Sequence, residues 1–307
     1  MESPLVSICC ITYNHEAFIR DAIEGFLIQK TDFPVEILIF DDASQDRTQE
    51  IIKEYVLKNR NIISFLQTEN QWSKGKYGLI DWLFPAAKGK YIALCEGDDY
   101  WTDPYKLQKQ VDFLEENEEY AVCFHRYKIV DNETKSVRDD NCSSLFVKQP
   151  EIVDIDTNLF LNQWVTQPLT MVFRKDCLNL TLYNQYHFFR DMHLIYHLLQ
   201  KGKGCILSFY GGIYREHLNG IHSKRPLTYQ CEIGIVVAKE LYDYNKSDIL
   251  LKKNYIKTLN WSINVFINND YNKIKVLNYI FIHLFLSKDI KKFIKNFINL
   301  IKSSKYY

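Results

Sequence analysis

The sequence predicts an α/β fold with a mostly parallel sheet covered by helices, and two observations carry that prediction. Four β-rich runs, 6–13, 35–40, 62–67 and 91–95, alternate with segments whose apolar residues recur at helical spacing, such as Phe18, Ile19, Ala22, Ile23, Phe26 and Leu27. The runs are also nearly continuously apolar, the pattern of strands buried on both faces.

The later elements follow from punctuation. Asp46 with Gln49 fits an N-cap and its N3 partner, and Asp103 before Pro104 fits an N-cap with Pro at N1, predicting a helix from Pro104 to Glu116. Residues 119–130 read as a strand and 131–149 as a polar, irregular surface loop. Then come a helical run over 157–164, a strand over 169–174, a helix over 190–200 ended by Gly202 and Gly204, and a strand from Cys205. From Leu227 the pattern is helical throughout. This divides the chain into an α/β domain, 1–225, and a helical tail, 226–307.

With 307 residues the chain can bury a large core without disulfide or metal staples. Its 47% apolar content, 11 Gly and 7 Pro exclude disordered and collagen-like classes. The eight Cys include no C-x-x-C pair, which excludes a zinc knuckle or thioredoxin-like motif and fits reduced thiols in the cytoplasm. The apolar stretch from Leu5 lacks the basic lead of a signal peptide, and 276–286 is too short to span a bilayer. Balanced totals of 38 basic and 38 acidic residues hide an asymmetry: 245–307 holds twelve Lys against three Asp, so the body is acidic and the tail basic.

In an open parallel sheet, ligands bind outside the carboxyl ends of the strands. There this sequence places Thr12-Tyr13-Asn14-His15, Asp41-Asp42-Ala43-Ser44 and Glu96-Gly97-Asp98-Asp99-Tyr100-Trp101. Asp41, Asp42, Glu96, Asp98 and Asp99 on one edge repel one another unless a cation neutralises them, which favours a divalent metal held by oxygen ligands. A single such Asp would mean no more than a solvated loop. Neither a G-x-G-x-x-G turn nor a P-loop is present, so phosphates are not cradled by a backbone nest. A nucleoside diphosphate held through a metal, with Tyr13 stacking on the base, suits these residues.

The motifs Thr12-Tyr13-Asn14, Asp41-Asp42-Ala43-Ser44-Gln45-Asp46 and Glu96-Gly97-Asp98-Asp99-Tyr100-Trp101 resemble the signatures of family 2 glycosyltransferases of the GT-A fold, across about residues 4–225. The resemblance implies an inverting enzyme that moves a sugar from a nucleotide donor, UDP-linked by preference, to a saccharide or lipid-linked acceptor in cell-surface polysaccharide synthesis. It implies that Tyr13 and Asp42 contact the base, that Asp98 meets the ribose or donor sugar, and that Asp99 binds the Mg²⁺ or Mn²⁺ bridging the diphosphate. Thr12, Asn14, Asp41 and Glu96 join this donor site. The sequence departs from the family over 68–88, where Asn70-Gln71-Trp72-Ser73-Lys74-Gly75-Lys76 replaces the usual donor-contacting helix.

Asp191, opening a helix after Phe189-Arg190, matches the position of the catalytic base in inverting relatives, and the helix N-terminus and Arg190 favour its ionised form. An ordinary helix cap is the alternative. Tyr214-Arg215-Glu216-His217 and Asn219–Arg225 form a basic segment of the kind that closes over the donor diphosphate in the resembling enzymes, with Arg215 on the donor and His217 completing the metal shell. The plainer alternative is a solvated loop and a hydrogen-bonded histidine.

Other classes fit less well. His193 and His197 share a helical face but lack the Glu of H-E-x-x-H, so packing is their expected role. There is no G-x-S-x-G elbow and no D-x-D-x-T order. A catalytically silent scaffold of a polysaccharide assembly complex is the rival from outside enzymology, and its intact carboxylates argue against it. The lysines and apolar residues of 273–302 suit an anionic membrane surface, and no nucleic-acid-binding motif is present.

Overall fold

The computed structural model describes residues 3–218, 220, 225–269 and 271–302. It divides into two compact units, 1–217 and 218–307.

In the first unit the strands are β1 (Val6–Thr12), β2 (Val35–Asp41), β3 (Ile62–Leu66), β4 (Tyr91–Leu94), β5 (Tyr100–Trp101), β6 (Tyr120–Asp131), β7 (Val137–Asp139), β8 (Ile152–Ile155), β9 (Val172–Arg174) and β10 (Lys203–Glu216). They form one sheet in the order β3-β2-β1-β4-β9-β6-β10-β5, with β7 paired to β6 and β8 to β10. β1 runs parallel to β2 on one side and β4 on the other, and β2 parallel to β3. Buried Val6, Ile8, Cys10, Ile37, Ile39 and Ala93 join one core with the helix Ile19–Leu27 and the helix Lys106–Glu116. Strand order reverses at β1, so the loops leaving β1, β2 and β4 open on the crevice where such sheets bind ligands.

The far half of the sheet is mixed. β9 is antiparallel to both β4 and β6, while β6 and β10 run parallel with register shifts near Tyr210 and Gly212. Residues 131–149, expected as an irregular surface loop, contain β7 and a helical turn, Ser143–Phe146. Buried Asp140 anchors them by accepting from Arg126 Nε at 2.9 Å and from the Tyr127 N–H.

Two helix starts also differ from expectation. The helix after β2 begins at Thr48, because Asp46, two residues earlier, accepts from the Thr48 N–H through Oδ1 at 3.0 Å. Gln49 turns instead to Asp41 Oδ1 at 2.6 Å. The helix after β5 begins at Lys106, with Asp103 Oδ1 accepting from the Tyr105 N–H.

That second helix sends Lys106 into the core. Its side chain is fully buried, and Nζ has no hydrogen-bond partner and lies 3.8 Å from the Trp101 ring centroid. Burial lowers its pKa to about 7, against the opposing pull of Cys95 and Cys123. The unfolded chain therefore holds a proton that the folded chain lacks between pH 7 and about 10.5, so this group makes stability rise with pH across that window. Comparing K106M with wild type by urea unfolding isolates the effect: the variant's advantage should be largest at pH 7 and shrink towards pH 10. A difference independent of pH would show that Lys106 is not neutral in the fold.

The second unit has its own core. Helices Leu227–Tyr244, Ile249–Asn268, Lys273–Ser287 and Ile290–Lys302 bury Cys231, Ile235, Leu259, Ile263, Phe266, Val276 and Ile280 together. No helix among the described residues is long and apolar enough to cross a membrane.

Candidate active site

The β1 and β2 loops are built on two residues with positive φ, Asn14 at 55° and Ala43 at 63°. Asn tolerates this region, but a Cβ there costs Ala about 1–2 kcal/mol, so surrounding bonds must hold the turn. Buried Asp41 supplies them, accepting from the Ser44 N–H at 3.0 Å and from the Ser44 hydroxyl. The loops are then tied together: the Asn14 N–H donates to Ser44 Oγ at 2.8 Å, and the Gln45 N–H to Asn14 Oδ1 at 2.7 Å.

The β4 loop meets β1 closely. A Cβ on Gly97 would come within 2.6 Å of Thr12 Oγ1 and 3.1 Å of His15 Nδ1, so glycine is what admits Glu96–Asp99 to this point. Ligand atoms of Glu96, Asp98 and Asp99 all lie within 4.8 Å of one another, and so do those of His15, Asp98 and His217. Asp98 is common to both groups; its Oδ2 stands 3.0 Å from His217 Nε2 and 3.6 Å from His15 Nε2. Thr12 Oγ1, His15 Nδ1, Asp98 Oδ1 and Asp99 Oδ2 are buried without a hydrogen-bond partner. Leaving such atoms unmet costs roughly 1–3 kcal/mol each. Oxygen donors around a shared Asp, with imidazole beside them, fit a divalent cation such as Mg²⁺ or Mn²⁺.

The electrostatics agree with that fit. Burial, then the charges of Asp98 and Asp191, push the Glu96 carboxyl up to about 8. Burial, then Asp98 and Glu96, drive Asp99 well above the ordinary carboxylate range. Burial also pushes Asp98 upward, but His15 and the hydrogen-bonded His217 outweigh it and hold its carboxyl below the usual value. Asp98 is thus the most acidic of three crowded carboxyls.

Arg215 fastens β10 beneath this cluster. Its N–H donates to Asp99 Oδ1 at 2.8 Å, its Nη1 to the Asp98 carbonyl at 3.0 Å, and its Nη2 to Asp21. The guanidinium also covers the Tyr100 ring at 4.2 Å. So placed, Arg215 orients the acidic turn. Asp42 has a similar structural engagement, its oxygens accepting the N–H groups of Gln71 at 2.6 Å and Trp72 at 3.2 Å. It thereby draws the 70–77 segment to the cleft. Tyr13 is 41% exposed beside it, available for stacking.

Asp191 is the first residue of the helix Asp191–Leu199; Arg190 occupies the N-cap position, and its backbone N–H donates to His193 Nδ1 at 3.1 Å. The Asp191 charge is among those that raise the Glu96 carboxyl. His193 and His197 pack inside this helix, with His197 Nε2 2.6 Å from the Tyr186 hydroxyl. The sequence reading gave His15 no role, although it ends the strand-terminal tetrad already singled out. Of the basic segment 219–225, Asn219 and 221–224 lie outside the described residues.

The sheet order, the three tied loops and the carboxylate cluster define a glycosyltransferase of the GT-A fold. The family model "Glycosyl transferase family 2" matches residues 7–187, more than half the chain, and the protein belongs to that family. It is similar to the Staphylococcus aureus protein TarS in complex with UDP, with TM-score 0.65 and 16% identity over 98% of this chain and 92% of that one. It also resembles a Pyrobaculum calidifontis mannosyltransferase in complex with GDP-Man and Mn²⁺, with TM-score 0.50 and 13% identity over 99% and 87% of the two chains.

Among sequence relatives, an uncharacterised Mycobacterium bovis protein is 46% identical over 41% of this chain and 36% of its own length. An Escherichia coli protein described as a UDP-Glc:α-D-GlcNAc-diphosphoundecaprenol β-1,3-glucosyltransferase is 38% identical over 36% and 41%. These matches span less than half the length of either relative.

Proposed function

We propose that this glycosyltransferase transfers a sugar from a UDP-sugar to a hydroxyl of a saccharide or lipid-linked acceptor, with inversion, in cell-surface polysaccharide synthesis. The observation that carries the proposal is the set of four buried, unpartnered polar atoms from Thr12, His15, Asp98 and Asp99 at one point of the crevice. Asp99 and Asp98 hold Mg²⁺ or Mn²⁺ there, with Glu96, His15 or His217 completing the shell. A bound cation supplies Lewis-acid stabilisation of the departing diphosphate. Tyr13, Asn14 and the loop built on Asp41 and Asp42 receive the nucleoside. Asp191, whose charge bears on Glu96, takes the proton of the acceptor hydroxyl as that oxygen attacks the anomeric carbon in a single displacement. The donor preference is supported by the UDP complex of TarS and the printed donor of the Escherichia coli relative.

The 1–225 segment is the catalytic domain in this reading, and the basic tail 226–307 meets an anionic cytoplasmic membrane face where lipid-linked acceptors reside. Support comes from the helix Ile290–Lys302, which buries Asn296 and Leu300 on one side. Ile290, Ile294, Phe297, Ile298 and Ile301 form a second, exposed apolar stripe, with Lys291, Lys295 and Lys302 flanking it. Phe281 and Phe285 of the preceding helix extend the band, through ring contacts from Phe281 to Phe293 and on to Phe297. An apolar stripe edged by lysines suits the interface of an anionic bilayer. Co-sedimentation with phosphatidylglycerol vesicles should be salt-sensitive and lost in I294E/F297E; equal sedimentation of that variant, or binding only to neutral vesicles, would remove the membrane role.

Donor specificity is tested by incubating the full chain with UDP-glucose, UDP-GlcNAc and GDP-mannose and Mn²⁺ and following nucleotide release. Release from a UDP-sugar supports the reading, while release from none, with no nucleotide binding, sinks it and favours a silent scaffold.

A further inference from the structure

The crevice is acidic, yet Arg190 stands at its edge without taking any of its carboxylates as an ion-pair partner among the described residues. The guanidinium sits in the corner where two aromatic rings meet, an open clamp that places it 4.3 Å from the Phe188 centroid and 4.9 Å from that of Trp72. Its Nε is buried and has no hydrogen-bond partner. The clamp is itself braced: Trp72 contacts Tyr77 and Phe188 edge-on, the Tyr77 hydroxyl donates to the His187 carbonyl at 2.5 Å, and Asp42 holds the Trp72 N–H. Packing against two rings removes much of the rotamer freedom of an arginine and restricts the directions of its N–H donors. A buried N–H without a partner costs free energy that a ligand recovers.

Arg190 is adjacent in sequence to Asp191, and the charges of both act on Glu96. We propose, resting on the reading of Asp191 as the acceptor's base, that Arg190 recognises an anionic group on the acceptor, placing a phosphate or carboxylate beside the hydroxyl to be glycosylated. The clamp makes this a fork for planar or tetrahedral oxyanions, and Trp72, 41% exposed, offers the ring face next to it for the acceptor sugar. The segment from Asn70 to Lys76, where this chain departs from its family, thereby acquires a role, since it supplies one wall of the clamp. A neutral acceptor would leave Arg190 unmet and be a poor substrate.

The test reads Arg190 directly. In full-length protein carrying ¹⁵N-arginine, the Arg190 Nε–H resonance is assigned by its loss in R190K. With UDP and Mn²⁺ saturating the donor site, the protein is titrated with glucose 1-phosphate, methyl glucuronide and methyl glucoside. The proposal expects a saturable shift of the Arg190 resonance with one or both anions and none with the neutral glycoside. A shift with the phosphate alone points to a sugar phosphate or diphosphate acceptor, and with the glucuronide alone to an acidic sugar. R190Q should weaken binding of the effective anion at least about tenfold while leaving UDP–Mn²⁺ affinity within twofold. The proposal is overturned if no anion shifts the resonance, or if UDP–Mn²⁺ alone shifts it and R190Q loses UDP, which would assign Arg190 to the donor. Failure of UDP–Mn²⁺ to bind wild-type protein would instead refute the underlying glycosyltransferase site, so the two failures are distinguishable.

Discussion

Asp191→Asn should lower turnover by ~10²–10⁴-fold, the contribution typical of a positioned general base, while UDP-sugar affinity stays within about twofold. The side chain is isosteric, and as an amide it still accepts from the Met192 N–H as Oδ1 does at 2.9 Å. What it loses is the charge and proton affinity of the carboxylate. In the proposed reading donor binding depends on the β1, β2 and β4 loops, which this substitution does not touch. Steady-state kinetics with donor binding measured separately checks both halves. If D191N turns over normally but melts several degrees lower, Asp191 serves the helix rather than the reaction.

The second large effect is expected at the metal. Asp99→Asn keeps the carbonyl-type oxygen that accepts from the Arg215 N–H at 2.8 Å but removes the charge. Metal stabilisation of a phosphoryl group amounts to several kcal/mol, so Mn²⁺-dependent UDP affinity should fall about 100-fold or more, at roughly 1.4 kcal/mol per factor of ten. The unliganded variant should be no less stable, because a carboxyl already pushed upward by burial and by Asp98 and Glu96 becomes neutral. Calorimetry of UDP with Mn²⁺ and in EDTA measures the first effect and a thermal melt the second. Undiminished UDP binding by D99N, or by wild type in EDTA, would place the diphosphate elsewhere.

Much of the fold was legible because burial on both faces leaves a plain record. β1 to β4 begin where the apolar runs begin and end within two residues of their expected ends. β5 and β8 left no such record: one is two residues long, and β8 exposes Ile152 at the sheet margin. Helix starts slipped for another reason. Asp46 and Asp103 each accept a backbone N–H two residues on, a turn that precedes the helix, and sequence alone does not separate that from a cap.

The site was legible where chemistry is tied to strand ends and illegible where it depends on long-range packing. Glu96, Asp98 and Asp99 could be gathered from the end of a single strand, and β1 beside it follows from the α/β pattern. That Asp41 turns inward to hold Ser44, that Arg215 braces the acidic turn, and that Phe188 and Trp72 clamp Arg190 are contacts that depend on how the folded segments meet. No local pattern encodes them. His15 was passed over because a single histidine after a strand is uninformative until Gly97 and Asp98 are seen against it.

The central claim is that donor and base face one another across a single crevice, so that the sugar is displaced once, from the side opposite the diphosphate. The configuration of the first product formed tests this most directly. UDP-α-glucose or UDP-α-GlcNAc, whichever releases UDP, is turned over with Mn²⁺ and the anomeric proton followed by NMR before mutarotation. The account predicts that the β-anomer, with its large diaxial coupling, appears first. Initial formation of the α-anomer would contradict it.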